Sequence, residues 1–334
     1  MPILGENRVL ETFGLRVLNK TRRLGLKELL RVAGLEGKPL DTWSIGFQIG
    51  PRINAAGRMD HANAAYKLLM CEDPLEVPRL AQALNQSNID RQRASDALYE
   101  MAKAQIGEAG ERRILFAVGD GWSVGLAGLV AGKLMQEYAL PIFVICKQED
   151  EKYAGSGRSL HGFDVTAAMK EASAHLARFG GHPQACGMSL VGEENLKAFQ
   201  SVMEKQAATY FETHDRTATI ELDQELSPSD VSWDLIETLK RLEPHGEGNP
   251  RPLFKSPPLQ VMEMGTVGLG GKHLRLTARE PTQPFYTKFI GFRFGDWVQK
   301  LSIGAMIEVV FEVGVNEWNG NREIQMRIVD LKML

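Results

Sequence analysis

Cysteine is scarce in this chain, with three in 334 residues, at positions 71, 146 and 186. Three distant cysteines make neither a disulfide framework nor a zinc site, so a reducing cytoplasm is the expected compartment. No apolar run approaches the roughly 18 residues that span a bilayer, so no membrane contact is expected. The opening MPILGENRVL lacks the basic start and long apolar stretch of a signal peptide. An excess of one charge is missing too. The 39 Lys and Arg against 42 Asp and Glu leave a net charge of -3. That balance excludes a uniformly basic nucleic-acid coat, though not a local basic groove. The seven histidines are scattered. There is no DxD motif, no HxH or CxxC pair, no carboxylate–histidine cluster and no Walker loop. GSGRS does not follow the Gly-any-Ser-any-Gly order of a nucleophile elbow. Neither a two-metal centre nor a catalytic triad can be assembled from these residues.

What is present suits a globular protein of two or three domains. The 43% hydrophobic and 24% charged residues argue against disorder. Residues 6–110 are predicted to be helical. ENRVLETFGLRVLNKT carries a stripe at Val9, Leu10, Phe13, Val17 and Leu18, and LGLKELLRVAGL repeats the pattern. Asp60 precedes another helical segment. Asp73-Pro74 is predicted to open a helix that runs to about Ile106. The polar second half of that helix suits a bridge between domains or packing by a narrow stripe. From Glu111 the pattern changes to RRILFAVG, a small-residue helix and LPIFVICKQ, a strand–helix–strand unit that favours a parallel crossover. KYAGSGRSL is predicted as a strand entering a turn, and FDVTAAMKEASAHLARF as a helix capped by Asp164. TATIELDQEL looks like a strand. SPSDVSWDLIETLKRLEP looks like a helix capped by Ser227 or Ser229. From Leu253 onward five short alternating strands suggest a small barrel. The OB fold leads, although periodicity alone does not separate it from an SH3-like barrel. The expected class is α/β plus β-barrel: helical connector 1–110, α/β domain 111–215, and barrel region 216–334.

Three segments could carry chemistry. GPRINAAGRMD places Arg52, Asn54 and Arg58 around what its glycines suggest is a tight, rigid turn. Planar guanidiniums suit phosphate oxygens, and the plainer alternative is helix capping or domain-bridging ion pairs. GSGRS offers Ser156, Arg158 and Ser159, with glycines that permit close backbone approach and an anion nest. Taken alone, an ordinary turn with a solvated arginine is the better explanation. FGGHPQACG puts Gly180, Gly181 and His182 on what looks like an exposed bent loop between a helix and a strand. Its imidazole could hold a metal, donate to a phosphate or act as an acid.

In order along the chain, GENR, GPRINAAGRMDHANAAYKLL, GWSVGLAGLVAGKL, GSGRSLHGFDV, FGGHPQACGMSL and LEPHGEGNPRPLF resemble the RecJ single-strand-specific exonuclease family. FGGH resembles the hallmark of the DHHA1 domain. The resemblance implies a 5′-to-3′ exonuclease of DNA repair and recombination that uses Mn or Mg held by an amino-terminal DHH domain. The motifs of that domain are not in this sequence, so the chain is expected to be a carboxy-terminal portion that binds no metal alone. By the same resemblance 1–110 is the end of the DHH domain with its connector, 111–215 the DHHA1 domain and 216–334 the OB-type region. Arg52, Asn54, Arg58, Ser156, Arg158, Gly180, Gly181 and His182 would then contact phosphate, with His182 the one candidate for a catalytic role. Lys272, Arg275, Lys288 and Arg293 would hold the strand backbone on the OB region. Stacking candidates are Phe285, Tyr286, Phe289, Phe292, Trp297 and Trp318, where barrel core is the rival reading. Single-stranded DNA is the implied partner of a cytoplasmic monomer, with a single-strand-binding protein or helicase as a further partner. His245 stands where the resemblance implies an aromatic. Alternatives are a non-catalytic strand-binding protein with a separate DHH partner, an oligonucleotide phosphodiesterase, or an editing or RNA-binding DHHA1 module.

Overall fold

The computed structural model describes residues 1–59, 63–160, 162–214, 219–318 and 320–334. Contacts divide the chain into two compact units, one of Lys20–Ala218 and one of Met1–Asn19 with Thr219–Leu334. The chain begins with α1 (Gly5–Leu18), α2 (Leu24–Val32) and α3 (Thr42–Ser44), which runs through a π-turn, Ile45–Ile49, into α4 (Gly50–Met59). GPRINAAGRM is therefore helix rather than a tight turn. Pro51, which has no N–H, follows directly on the π-turn, and Ala55 and Ala56 favour helix and are buried. The expected cap at Asp60 lies outside the described residues. After α5 (Asn63–Met70), α6 (Val77–Ile106) starts later than Asp73-Pro74. Asp73 accepts from the Leu75 amide in a preceding turn, and Pro78 supplies the early proline. The polar helix α6 buries a narrow stripe that includes Ala81, Leu84, Leu98 and Ala102.

The α/β domain holds β1 (Leu115–Asp120), α7 (Val124–Tyr138), β2 (Ile142–Lys147) and β3 (Lys152–Arg158), then α8 (Val165–Glu171), β4 (Arg178–His182), β5 (Ala185–Val191) and α9 (Glu193–Thr213). Asp164 caps α8 by accepting from the Thr166 and Ala167 amides. That helix stops at Glu171, well short of the predicted Phe179. The sheet order is β1-β2-β3-β5-β4, with only β1 and β2 parallel. IFVIC in β2 is buried throughout, as a central strand covered on both faces must be. Phe143 and Ile145 face α8 and α9 with Val165, Met169, Phe199 and Met203. Val144 and Cys146 face α6 and α7 with Ala102, Leu126, Val130 and Leu134.

In the second unit β6 (Gln224–Glu225) is all that forms, among the described residues, of the predicted strand at TATIELDQEL. Ser227 caps a single 3-10 turn, and Ser232, not Ser227 or Ser229, caps α10 (Trp233–Lys240). The Met1–Asn19 segment docks on the following loop, where Ile3 N–H donates to the Glu247 carbonyl and Arg8 to the carbonyls of Arg241 and Glu243. Its stripe residues Val9, Leu10, Phe13 and Val17 are exposed. Then follow β7 (Phe254–Lys255), β8 (Leu259–Val267), β9 (His273–Arg279), β10 (Thr287–Gly291), β11 (Met306–Trp318) and β12 (Asn321–Met333). The five strands β8-β9-β10-β12-β11 close into a ring, with a parallel β10–β12 pair and antiparallel neighbours elsewhere. This is an OB arrangement, but not a clean barrel. The β8–β11 and β10–β12 seams are short, and β7 and β6 extend the sheet from β11. Val261, Leu276, Phe289, Val309 and Phe311 fill its interior.

Candidate nucleic-acid-binding site

The GSGR segment lies within β3 rather than at a turn, because its residues alternate between two packed faces. Its glycines face the core. A Cβ at Gly155 would fall 2.7 Å from the Val144 carbonyl oxygen, and one at Gly157 2.6 Å from Cys186 Sγ. They therefore serve close sheet packing, and their amides belong to a strand ladder rather than an anion nest. Ser159 is buried and donates to the Phe163 carbonyl, a structural task. Ser156 and Arg158 point to the other face, against Gly128 of α7. A Cβ on Gly128 would lie 2.7 Å from Arg158 Nη2 and 3.4 Å from Ser156 Oγ. Arg158 Nη1 also donates to the Gly157 carbonyl at 2.8 Å. The guanidinium is thus laid along a helix whose small residue makes room for it.

FGGH forms part of the edge strand β4, not a bent loop. Pairing with β5 is the reason: Gly180 faces Gly187, Gly181 faces Cys186 and His182 faces Ala185. Gly181 has φ +152°, and a Cβ there would meet the Ala185 carbonyl oxygen at 2.2 Å. A Cβ on Gly180 would meet nothing. Thr166 Oγ1 donates to the His182 carbonyl at 2.7 Å and ties the strand end to α8. The His182 ring is exposed and makes no hydrogen bond among the described residues.

Strand register assembles these residues. Arg158, Ala185 and His182 form one row across β3, β5 and β4, and Ser156, Gly187 and Gly180 form the next. Directly opposed residues share a face, so both rows look the same way. β3 lies against α7, and beyond it β5 and β4 present a glycine floor edged by Arg158, Ser156 and His182. Such a shelf can seat a phosphate, with guanidinium, hydroxyl and imidazole as donors. Cys186, on the opposite face of β5, has its thiol pushed up to about 12 by burial and is no nucleophile at neutral pH.

The Arg52 guanidinium is engaged within the helical region. Arg52 Nε donates to Asn85 Oδ1 at 3.0 Å and Nη1 to the Gln48 carbonyl at 2.7 Å, so the side chain ties α4 to α6. Burial lowers its pKa. Asn54 is exposed on α4, and the Arg58 side chain lies outside the described residues.

In the OB unit Arg275 and Lys288 lie on the outward face of β9 and β10, alternating with the buried Leu274, Leu276 and Phe289. Lys272 and Arg293 are exposed at the ends of neighbouring turns. The aromatics divide. Phe285, Tyr286 and Phe292 are exposed, whereas Phe289 is core and Trp297 packs half-buried against Phe294. Phe289 is therefore not a base-stacking surface. The Trp318 side chain lies outside the described residues. Sequence reasoning missed Arg279, which shares the outward face and lies 5.8 Å from the Tyr286 ring centre. Period-two alternation along β9 was the signal for it. His245 is buried in the loop after α10, and burial lowers its pKa.

A profile of the DHHA1 domain matches residues 111–209, and one of the RecJ OB domain matches residues 222–330. The chain carries a DHHA1 domain and a RecJ OB domain. Single-stranded-DNA-specific exonuclease RecJ of Bacillus subtilis is 31% identical over 332 residues, which are 99% of this chain and 42% of the relative. RecJ of Thermus thermophilus is 28% identical over 334 residues, 99% of this chain and 46% of the relative. The crystal structure of RecJ from Thermus thermophilus in complex with Mn2+ superposes with a TM-score of 0.82 at 28% identity. That superposition covers 99% of this chain and 47% of that one. A second structure, with Mg2+, gives 0.81 at 29% identity, covering 99% of this chain and 50% of that one. In sequence and fold the chain matches the carboxy-terminal part of RecJ, and it spans about half the length of those relatives. The shelf lies within the DHHA1 domain and the outward basic face within the OB domain. Among the described residues no group of three or more His, Cys, Asp or Glu could hold a metal ion. The Mn and Mg of the relatives thus have no ligand set among them.

Proposed function

We propose that this chain is the strand-positioning part of a RecJ-type, metal-dependent 5′-to-3′ single-stranded-DNA exonuclease of DNA repair and recombination. The carrying observation is the row-by-row placement of Arg158, Ser156 and His182 around a glycine floor, with Arg158 seated against Gly128. In this reading Arg158 and Ser156 grip a phosphate of the strand, while His182 donates to the same group. The exposed floor lets the sugar–phosphate backbone approach the sheet. The OB domain adds a second basic surface, Lys272, Arg275, Lys288 and Arg293, with Phe285, Tyr286 and Phe292 offered to bases. The relatives bear the name single-stranded-DNA-specific exonuclease, and two of their solved structures hold Mn2+ or Mg2+. No hydrolytic step is routed through the residues described here, because they do not fit a metal. The protein works as a cytoplasmic monomer, and a single-strand-binding protein or helicase is its further partner.

The test is binding and cleavage of 5′-labelled single-stranded DNA of about 20 nucleotides, with Mn2+ and with EDTA, at two salt concentrations. Binding that weakens steeply with salt, without cleavage, is expected. Robust metal-dependent cleavage, or no binding at low salt, would overturn the proposal.

A further inference from the structure

The same register places a third row on the shelf. Ala154, Ser189 and Arg178 stand opposite one another across β3, β5 and β4. They lie two residues from the Ser156 row, so they share its face. Arg178 is exposed and makes no hydrogen bond or ion pair among the described residues. It opens β4, four residues before His182. At about 3.4 Å per residue that separation is near 14 Å. The interval is about four nucleotide repeats of a stacked strand at 3.4 Å each, so a strand laid along β4 passes more than one phosphate between the two ends. Between them the floor is Gly180, Gly187 and Ser189, with no large side chain in the way.

We infer that Arg178, with the Ser189 hydroxyl beside it, is a positioning residue for a second phosphate, further along the strand than the one held by Arg158. The inference rests on the proposed strand-binding role of the shelf. It gives the shelf a direction, with strand length read along β4. It also predicts that short and long oligonucleotides differ in their dependence on the two arginines.

The experiment measures fluorescence anisotropy of this chain with 5′-phosphorylated dithymidylate and hexathymidylate across a salt series. The proteins are wild type, Arg178→Ala, Arg178→Lys and Arg158→Ala. Arg178→Ala is expected to weaken the hexanucleotide on the order of tenfold and to leave the dinucleotide unchanged. It should reduce the slope of log affinity against log salt by about 0.7, the contribution of one single-strand phosphate contact. Arg178→Lys should restore that slope, and Arg158→Ala should weaken both lengths. Unchanged hexanucleotide affinity and slope in Arg178→Ala, while Arg158→Ala loses both lengths, would overturn the second subsite and spare the first. Equal loss of both lengths in Arg178→Ala would overturn it as well. If Arg158→Ala binds like wild type, or wild type binds neither length, the reading of the shelf itself fails. Exposed, and without a hydrogen bond or ion pair among the described residues, Arg178 can change without refolding, and unaltered thermal melting of the variants checks this.

Discussion

The shelf on the DHHA1 sheet and the outward face of the OB barrel are both cationic, but they are built differently. On the shelf, position comes from the backbone. Paired rows set the spacing, Gly128 makes room for Arg158, and Gly181 admits a contact no other residue allows. On the barrel the cations stand on long exposed side chains. The ion pair Arg275–Glu263 spans 3.7 Å between groups that are 60% and 67% exposed, which in water is worth little. A preorganised site loses its function when a backbone contact is disturbed. A face of mobile charges loses it by increments.

The largest expected effect defines where the barrel stops being a surface. Phe289 is fully buried in the OB core, so Phe289→Ala should cost about 3–5 kcal/mol of stability by urea denaturation. Phe285→Ala, only a few residues away but exposed, should leave stability within about 0.5 kcal/mol and weaken only strand binding. A similar loss of stability in both would mean that the exposed aromatics are part of the fold.

Next comes the contrast between arginines. Removing a charge-assisted contact costs roughly 1.5–3 kcal/mol. Arg158→Ala should therefore reduce single-stranded DNA affinity about 10- to 100-fold, read by anisotropy at fixed salt. Arg275→Ala should cost only a few-fold, with a salt slope smaller by about 0.7. Equal losses would erase the distinction between a preorganised arginine and a mobile one.

How much of this was legible in the sequence follows the same division. GSGR and FGGH in the α/β domain and GPRINAAGR in the helical region were visible because each sets glycines close to Arg or His. Their conformation was less visible. GSGR and FGGH look like turns locally, yet pairing with β5 makes both of them strands, since a ladder partner far along the chain outweighs local glycine preference. GPRINAAGR looked like a turn for the same reason and is a helix. Arg52 resembles a phosphate ligand, and Asn85 and the Gln48 carbonyl take two of its five N–H donors, a tertiary fact that no spacing reveals. On the OB side the five strands were readable from alternation. Alternation did not sort the aromatics: Phe289 stood among the stacking candidates with barrel core as the rival reading, and the structure places it in the core. Arg178 and Arg279 were passed over because neither belongs to a glycine motif. Only the register places Arg178 in line with the shelf.

The last pair of effects, which ends on the smallest, uses one substitution in two settings. Gly181→Ala puts a Cβ 2.2 Å from the Ala185 carbonyl oxygen, so β4 must part from β5. The expected cost is about 1–3 kcal/mol, with loss of oligonucleotide binding. Gly265 lies on the outward side of the barrel opposite Arg275, and a Cβ there meets nothing within 4 Å. It has no positive φ. Alanine at 265 therefore restricts the unfolded chain without straining the folded one, and Gly265→Ala should stabilise by about 0.4–1 kcal/mol, measured as a rise in thermal midpoint. Binding should stay near wild type, because a mobile cation such as Arg275 can move around one methyl group. If Gly265→Ala instead abolished binding, the barrel face would be as tightly fitted as the shelf, with strand backbone lying directly on β8. If Gly181→Ala left binding intact, the close β4–β5 approach would be a packing detail, and shelf function would rest on side chains alone.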